Sequence, residues 1–293
     1  KDFPSIAPVL KKFPLRQTPS DQTIFDEYSG EPKRLKPLGG EFIRLVSGIL
    51  TSDEILSNPN AQIKPNDGFG TFRRELRDRN NFDDQDILVN SYGKNFPESF
   101  SWPDTLKDPD QTIKDSKIRF KNTLLNSPFG VFDDIMHSFG GIIELEIAMA
   151  YPWAFNNLFF LSSPVKGLQE SFLFLIQLLK DYIISNYPFL KPILENERVV
   201  EYLIKRGKNQ DLHKRIDDFG ESFTKSGKGI WVIRAENDPI VTKESAEIKG
   251  AKIITLPKTS NAVFDLTAHG RTLVDPIAVN AVVQKIGQNR AAV

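Results

Sequence analysis

Ser138 stands in the run Met136-His137-Ser138-Phe139-Gly140-Gly141, and a serine so placed can act as a nucleophile if the chain turns sharply there. The residues before it read as the end of a strand. The two glycines, followed by Ile142, Ile143 and Leu145, read as a helix packed close behind the turn. Strand, turn and helix in that order would lift the serine Oγ clear of the sheet edge, where a base can reach it. The hydroxyl is a poor nucleophile at neutral pH and needs that base, a task suited to a histidine with its unperturbed pKa of ~6.5. Only His137, His213 and His269 are available. His137 adjoins Ser138 and is expected to point away from it on the turn, and His213 sits in a charged helical stretch, Asp211-Leu212-His213-Lys214-Arg215. That leaves His269, on a loop late in the chain. Asp238, in the turn Asn237-Asp238-Pro239, could accept the other imidazole N–H and fix the tautomer, with Asp265, close to His269 in sequence, as a competing acid.

The elements that must carry these residues follow a βα alternation. Asp86 to Gly93 reads as a strand ending in a turn, Gln111 to Leu125 as a helix, Asn157 to Leu161 as a buried strand, and Gly229 to Arg234 and Ala251 to Pro257 as two more, before a last helix from Pro276 to Ile286. Such alternation predicts an α/β fold with a mostly parallel central sheet and helices on both faces. Residues 1–60, with prolines at 4, 8, 14, 19, 32 and 37, read as an N-terminal arm packed on the core, because proline at that density rules out long helices. Within the arm, Gly40 to Leu50 is apolar but fits strand and helix equally. Residues 61–166 and 224–293 are assigned to the core. Residues 167–223, largely helical in pattern, are assigned to a cap inserted between strands and lying over the sheet edge.

Composition narrows the partners. The 38 basic and 38 acidic residues cancel, so no overall field points to nucleic acid. The absence of cysteine excludes disulfides and thiolate chemistry. The most apolar run, Phe172 to Ile184, is broken by Gln177, Lys180 and Asp181 and falls short of the ~20 residues a spanning helix needs. The chain begins at Lys1 with a polar stretch and no apolar signal-peptide core, which reads as a processed or trimmed form, and its localisation and oligomeric state stay open. The acidic runs Asp83-Asp84-Gln85-Asp86 and Asp108-Pro109-Asp110 read as solvated turns, with no ligand pattern for a metal.

The chain resembles the α/β-hydrolase fold family, most closely its lipase and esterase branch, from about residue 61 to the C-terminus. His137-Ser138-Phe139-Gly140-Gly141 is similar to the nucleophile elbow, Asp67-Gly68-Phe69-Gly70 to the loop that usually reads His-Gly-X, and Leu161-Ser162-Ser163-Pro164 to the strand end after the elbow helix. Ala235 to Val241 resembles the acid-bearing turn, and Ala268-His269-Gly270 followed by Asp275-Pro276 the histidine loop and final helix. The order Ser138, Asp238, His269 matches the family's. The resemblance implies a serine hydrolase that cleaves a carboxylic ester of a small hydrophobic or acyl substrate through an acyl-enzyme, with the backbone N–H groups of Phe69 and Phe139 as oxyanion donors. No cofactor is implied, and transient contact with a lipid surface is compatible with it. Two residues depart from the pattern: Met136 stands where the elbow usually has glycine, and Asp67 where the oxyanion loop usually has histidine. A thioesterase, amidase or acyltransferase would use the same triad, and a non-catalytic relative would bind an apolar ligand or a protein in the capped pocket.

Overall fold

A computed structural model of the chain describes residues 23–25, 32–34, 41–46, 48, 69–82, 87–90, 108–126, 131–169, 180–181, 185, 197–258 and 267–291. Among the described residues, six strands form one sheet in the spatial order β4-β3-β5-β6-β7-β8: β3 (Glu41–Val46), β4 (Ile87–Asn90), β5 (Val131–His137), β6 (Phe155–Leu161), β7 (Gly229–Ala235) and β8 (Lys252–Leu256). Every pairing in it is parallel. A separate antiparallel pair, β1 (Thr23–Phe25) and β2 (Pro32–Arg34), precedes it.

Parallel strands need helical crossovers, which bury both sheet faces. On one face Phe42, Val46, Phe132, Met136, Leu158, Phe160, Ile230 and Val232 pack against helices α2 (Pro109–Asn126), α3 (Phe139–Ala150), α4 (Glu197–Lys208) and α5 (Gln210–Lys225). On the other, Ile43, Leu45, Ile135, Phe159, Leu161, Ile233 and Ala235 meet α1 (Gly70–Asn80) and α8 (Pro276–Ala291), the latter preceded by the short helices α6 (Lys243–Ala246) and α7 (Thr267–Arg271). The alternation along each strand is the period of two expected of a pleated strand. The α/β fold with helices on both faces is therefore as the sequence predicts. Among the described residues, no helix is long and apolar enough to cross a membrane.

Two boundaries differ from the sequence reading. Residues 41–46, assigned to the N-terminal arm, form a strand inside the sheet, between β4 and β5. Their pattern was ambiguous because a strand covered on both faces is apolar at nearly every position and loses its period of two. The segment assigned to the cap also extends into the core. Ile216 and Phe223 of α5 are buried with Ile230 and Val232 of β7, so this helix is a crossover packed on the sheet. Helix α4 is tied to the core by Arg206, whose Nη1 donates to Glu146 Oε1 of α3 at 3.0 Å and whose Nε donates to the Val165 carbonyl at 2.7 Å. The middle of the cap segment, around 170–179 and 186–196, lies outside the described residues.

Beneath the turn at Ser138 the core contains charge. Arg44, in the middle of β3, is fully buried, with Nη2 2.9 Å from Glu144 of α3 and Nη1 3.3 Å from Asp134 of β5. Its guanidinium also stacks over the Phe120 and Phe132 rings, 4.8 and 5.3 Å from their centroids. Removing one member of a buried ion cluster leaves the others uncompensated, at a typical cost of ~3–5 kcal/mol. Arg44→Met should therefore lower the unfolding free energy by about that amount in urea titrations at pH 7. A loss below ~1 kcal/mol would mean that Asp134 and Glu144 are neutral or otherwise compensated.

Candidate active site

Ser138 is the hinge between β5 and α3. Its backbone is in the left-handed region, φ 54° and ψ −129°, which is unusual for a residue with a side chain. Two bonds hold it there: its N–H donates to the Leu161 carbonyl at the end of β6 at 3.0 Å, and its carbonyl accepts from Gly141 N–H at 3.1 Å. The side chain does not cap α3, so Oγ is left to another partner. Two glycines give the turn its room. A Cβ on Gly141 would lie 2.6 Å from Ser163 Cβ, and one on Gly48 would lie 2.7 Å from Ser138 Cβ. Met136 is fully buried among Val46, Phe160 and their neighbours, so its length is taken up by the core on the face away from His137.

His269 lies in α7, and its Nε2 is 3.0 Å from Ser138 Oγ. Its Nδ1 is 2.9 Å from Asp238 Oδ2. A carboxylate accepts only, so Nδ1 carries the hydrogen and Nε2 presents its lone pair to the serine hydroxyl. Asp238 follows β7 and is buried. Its second oxygen, Oδ1, accepts from the N–H groups of Ile240 and Val241 at 2.9 and 3.0 Å, so one carboxylate both shapes the turn and meets the imidazole. Burial alone would push this carboxyl up, but the His269 imidazole and the two amides outweigh it and hold the pKa below its ordinary value.

The structure thus brings together Ser138, His269 and Asp238, three residues far apart in sequence. Phe139, the first residue of α3, packs its ring 5.9 Å from that of Tyr202 in α4. Phe69 is a different matter: its ring is buried in the core beside Phe72, at the start of α1. Gly48 lies against Ser138. Strand order explains its place. The strand beside β5 is β3, with Val46 level with Met136, so the chain leaving β3 emerges level with the elbow. Asp67 and Asp265 lie outside the described residues. His213 donates through Nε2 to the carbonyls of Lys166 and Arg206 at 2.8 and 3.0 Å, a structural use. It lines a cavity of about 520 Å³ with Lys166, Leu168, Gln210, Asp217 and Lys249, which does not include Ser138, Asp238 or His269. Among the described residues no group of three or more acidic or histidine side chains is placed to hold a metal ion.

The sequence reading did not single out Gly48, which lies against Ser138, and gave His137 no role. The end of β3 would have pointed to Gly48 had that strand been legible. His137 is only 8% exposed, and its ring centroid is 4.9 Å from that of His269. Burial, reinforced by the neighbouring His269, pushes its pKa down from 6.5 to about 3.

No family model and no curated protein sequence matches the chain. Among solved structures it is similar to a hydrolase from Oleispira antarctica, at 13% identity and TM-score 0.49, over 86% of this chain and 92% of that one. It is also similar to a lipase-esterase related protein from Clostridium acetobutylicum, at 14% identity and TM-score 0.45, over 85% and 93%. A third is Est1E from Butyrivibrio proteoclasticus, with ferulic acid bound, at 12% identity and TM-score 0.47, over 86% and 90%. The chain's own parallel sheet, its strand–serine–helix turn and the chain order Ser138, Asp238, His269 are those of the α/β-hydrolase fold.

Two outcomes follow from this geometry. Asp238→Asn should lower kcat on an activated ester by ~10³–10⁴-fold by removing the group that selects the tautomer, whereas Asp265→Asn should change it little. The reverse ranking would reassign the acid. The second concerns pH. The unfolded chain protonates His137 near 6.5 and the folded chain only near 3, so the stability this residue contributes is fully present above pH 6.5 and is lost as the pH falls toward 3. The slope is at most ~1.4 kcal/mol per pH unit. Urea midpoints should drop between pH 7.5 and 5.5, above the range where Asp238 adds its own acid-side loss, and His137→Phe should flatten that dependence.

Proposed function

We propose that the chain is a serine hydrolase that cleaves a carboxylic ester of a small hydrophobic or acyl substrate through an acyl-enzyme. The observation that carries this reading is the continuous hydrogen-bonded line from Ser138 Oγ through His269 to Asp238, at 3.0 and 2.9 Å. As Oγ attacks the ester carbonyl carbon, its proton passes to His269 Nε2, and the imidazolium is stabilised by the Asp238 carboxylate. The carbonyl oxygen becomes an oxyanion. Phe139 N–H, one of the first N–H groups of α3 and so without an intrahelical acceptor, is suited to meet it at the positive end of the helix. We assign the second donor to the segment at Gly48 in place of Phe69, because Gly48 is the residue against Ser138. Collapse of the intermediate breaks the ester C–O bond, and His269 returns its proton to the departing alcohol. Water then attacks the acyl-Ser138 ester with His269 as base, releasing the carboxylic acid and the free hydroxyl.

A fluorophosphonate probe should label the native chain on Ser138, and Ser138→Ala should abolish the labelling. Hydrolysis should be measurable on p-nitrophenyl esters, and a series of increasing acyl length would define the acyl preference. A native chain that stays unlabelled after prolonged treatment and leaves every ester intact would sink the hydrolase reading in favour of a binding role for the same fold.

A further inference from the structure

His137 is the last residue of β5 and the immediate neighbour of the proposed nucleophile, yet the triad chemistry does not use it. Strand alternation sends its side chain to the face opposite Met136, the face on which α7 lies. There its Nε2 is 3.1 Å from the backbone carbonyl oxygen of His269. A carbonyl accepts only, so Nε2 carries the hydrogen and Nδ1 is the unprotonated nitrogen. The other side of the ring is closed by the end of β3, where a Cβ on Gly48 would come within 3.3 Å of His137 Nδ1. A second donor, Thr272 Oγ1, lies 3.4 Å from the same His269 carbonyl and 3.3 Å from Ser162 Oγ.

These contacts close a short circuit. Ser138 is covalently joined to His137, His137 is hydrogen-bonded to the His269 backbone, and the His269 ring returns to Ser138 Oγ. The imidazole is thus held at two places, by Asp238 on the ring and by His137 on the main chain, where Thr272 Oγ1 makes a longer second contact to the same carbonyl. Either anchor alone would leave it a freedom: Asp238 alone permits α7 to swing about the Nδ1–Oδ2 axis, and a fixed backbone alone permits the ring to rotate. Resting on the hydrolase reading of His269 as base, we propose that His137 is a positioning residue which, as the uncharged Nε2–H tautomer, holds the His269 backbone so that the imidazole lone pair faces Ser138.

Neutrality matters because of what stands nearby. Among the described residues, the titratable groups acting on His137 are His269 and Asp238, and Gly48 lies on the β3 side. An imidazolium at His137, its ring centroid 4.9 Å from that of His269, would oppose the proton His269 takes up during the reaction. Burial and His269 itself push against that charge, more than the hydrogen bond and Asp238 favour it, and so keep the positioning group uncharged across the working pH range.

The test uses the full chain with two substitutions and one spectroscopic measurement. His137→Phe keeps the ring and removes the donor, whereas His137→Gln keeps an N–H of similar reach. On a p-nitrophenyl ester, the Phe variant should lose ~10–100-fold in kcat with KM within about twofold of the parent, and the Gln variant should regain most of that loss. A folded Phe variant with parental kcat, or a Gln variant no better than Phe, would overturn the proposal. Imidazole ¹⁵N shifts of the unsubstituted chain decide the matter even where the Phe variant does not fold. His137 should report a neutral Nε2–H ring from pH 8 to 5, and a charged ring or the Nδ1–H tautomer in that range would refute it. These signals need no turnover, so they separate failure of this proposal from failure of the hydrolase reading, which the fluorophosphonate probe reports.

Discussion

The left-handed backbone at Ser138 is a strained conformation, costing ~1–3 kcal/mol for a residue with a side chain, and it persists only because its surroundings leave the chain no alternative. Its N–H is claimed by Leu161 and its carbonyl by Gly141, so the end of β6 and the first turn of α3 are both fastened to the same residue. Relaxing the serine would break both bonds. The space for the turn comes from atoms that are missing: side chains at Gly48 and Gly141 would run into Ser138 and Ser163. Ser162, immediately after β6, also has positive φ, 42°, so strain extends to the neighbouring strand end that receives the serine N–H.

Against this fixed point, Asp238 is held by a turn that its own carboxylate closes, and His269 by the short helix α7. Asp238 shapes its own turn through Oδ1 and orients the imidazole through Oδ2. The ordinary use of aspartate before proline, as a turn former, and its proposed use as the orienting acid are therefore the same structural fact. The amides that fix the turn also favour the carboxylate form, and the carboxylate form is what an imidazole taking up a proton requires.

How much of this was legible follows from where the physics is local. The turn at Ser138 could be read because it needs glycines within a few residues, and the Asp238 turn because aspartate and proline act on their own backbone. His269, the proposed base, was singled out by elimination, which three histidines made possible. The segment at Gly48, to which we assign the second oxyanion donor, was not legible, because its place depends on which strand lies beside β5. That strand, Glu41–Val46, is covered on both faces, so its apolar residues fitted strand and helix equally and alternation did not mark it. The pattern of α5 was helical as expected, but whether a helix covers a sheet face or a sheet edge is a tertiary property that periodicity does not encode. The hydrogen bond from His137 to the His269 carbonyl joins residues remote in sequence and leaves no trace in either one's neighbours.

The charges in β5 bear on the same question of what sets the site. Asp133 and Asp134 are fully buried in a central strand, where apolar residues of similar volume would stabilise the sheet at least as well. Both are paired across the sheet with the residues directly opposite them. Asp134 stands level with Arg44 of β3 and meets its guanidinium, and Asp133 stands level with Asn157 of β6 and accepts from its Nδ2 at 2.7 Å. The second pair comes directly after an irregularity in the β5–β6 register between Phe132 and Asp133, the place where pairing is least constrained. Apolar side chains tolerate a slipped register if the face is kept, whereas a slip here would leave a buried carboxylate without its partner. The two pairs therefore set the height of β5 against both neighbours. That height decides whether Ser138 emerges level with Gly48 on one side and Leu161 on the other, the two contacts on which its strained turn rests.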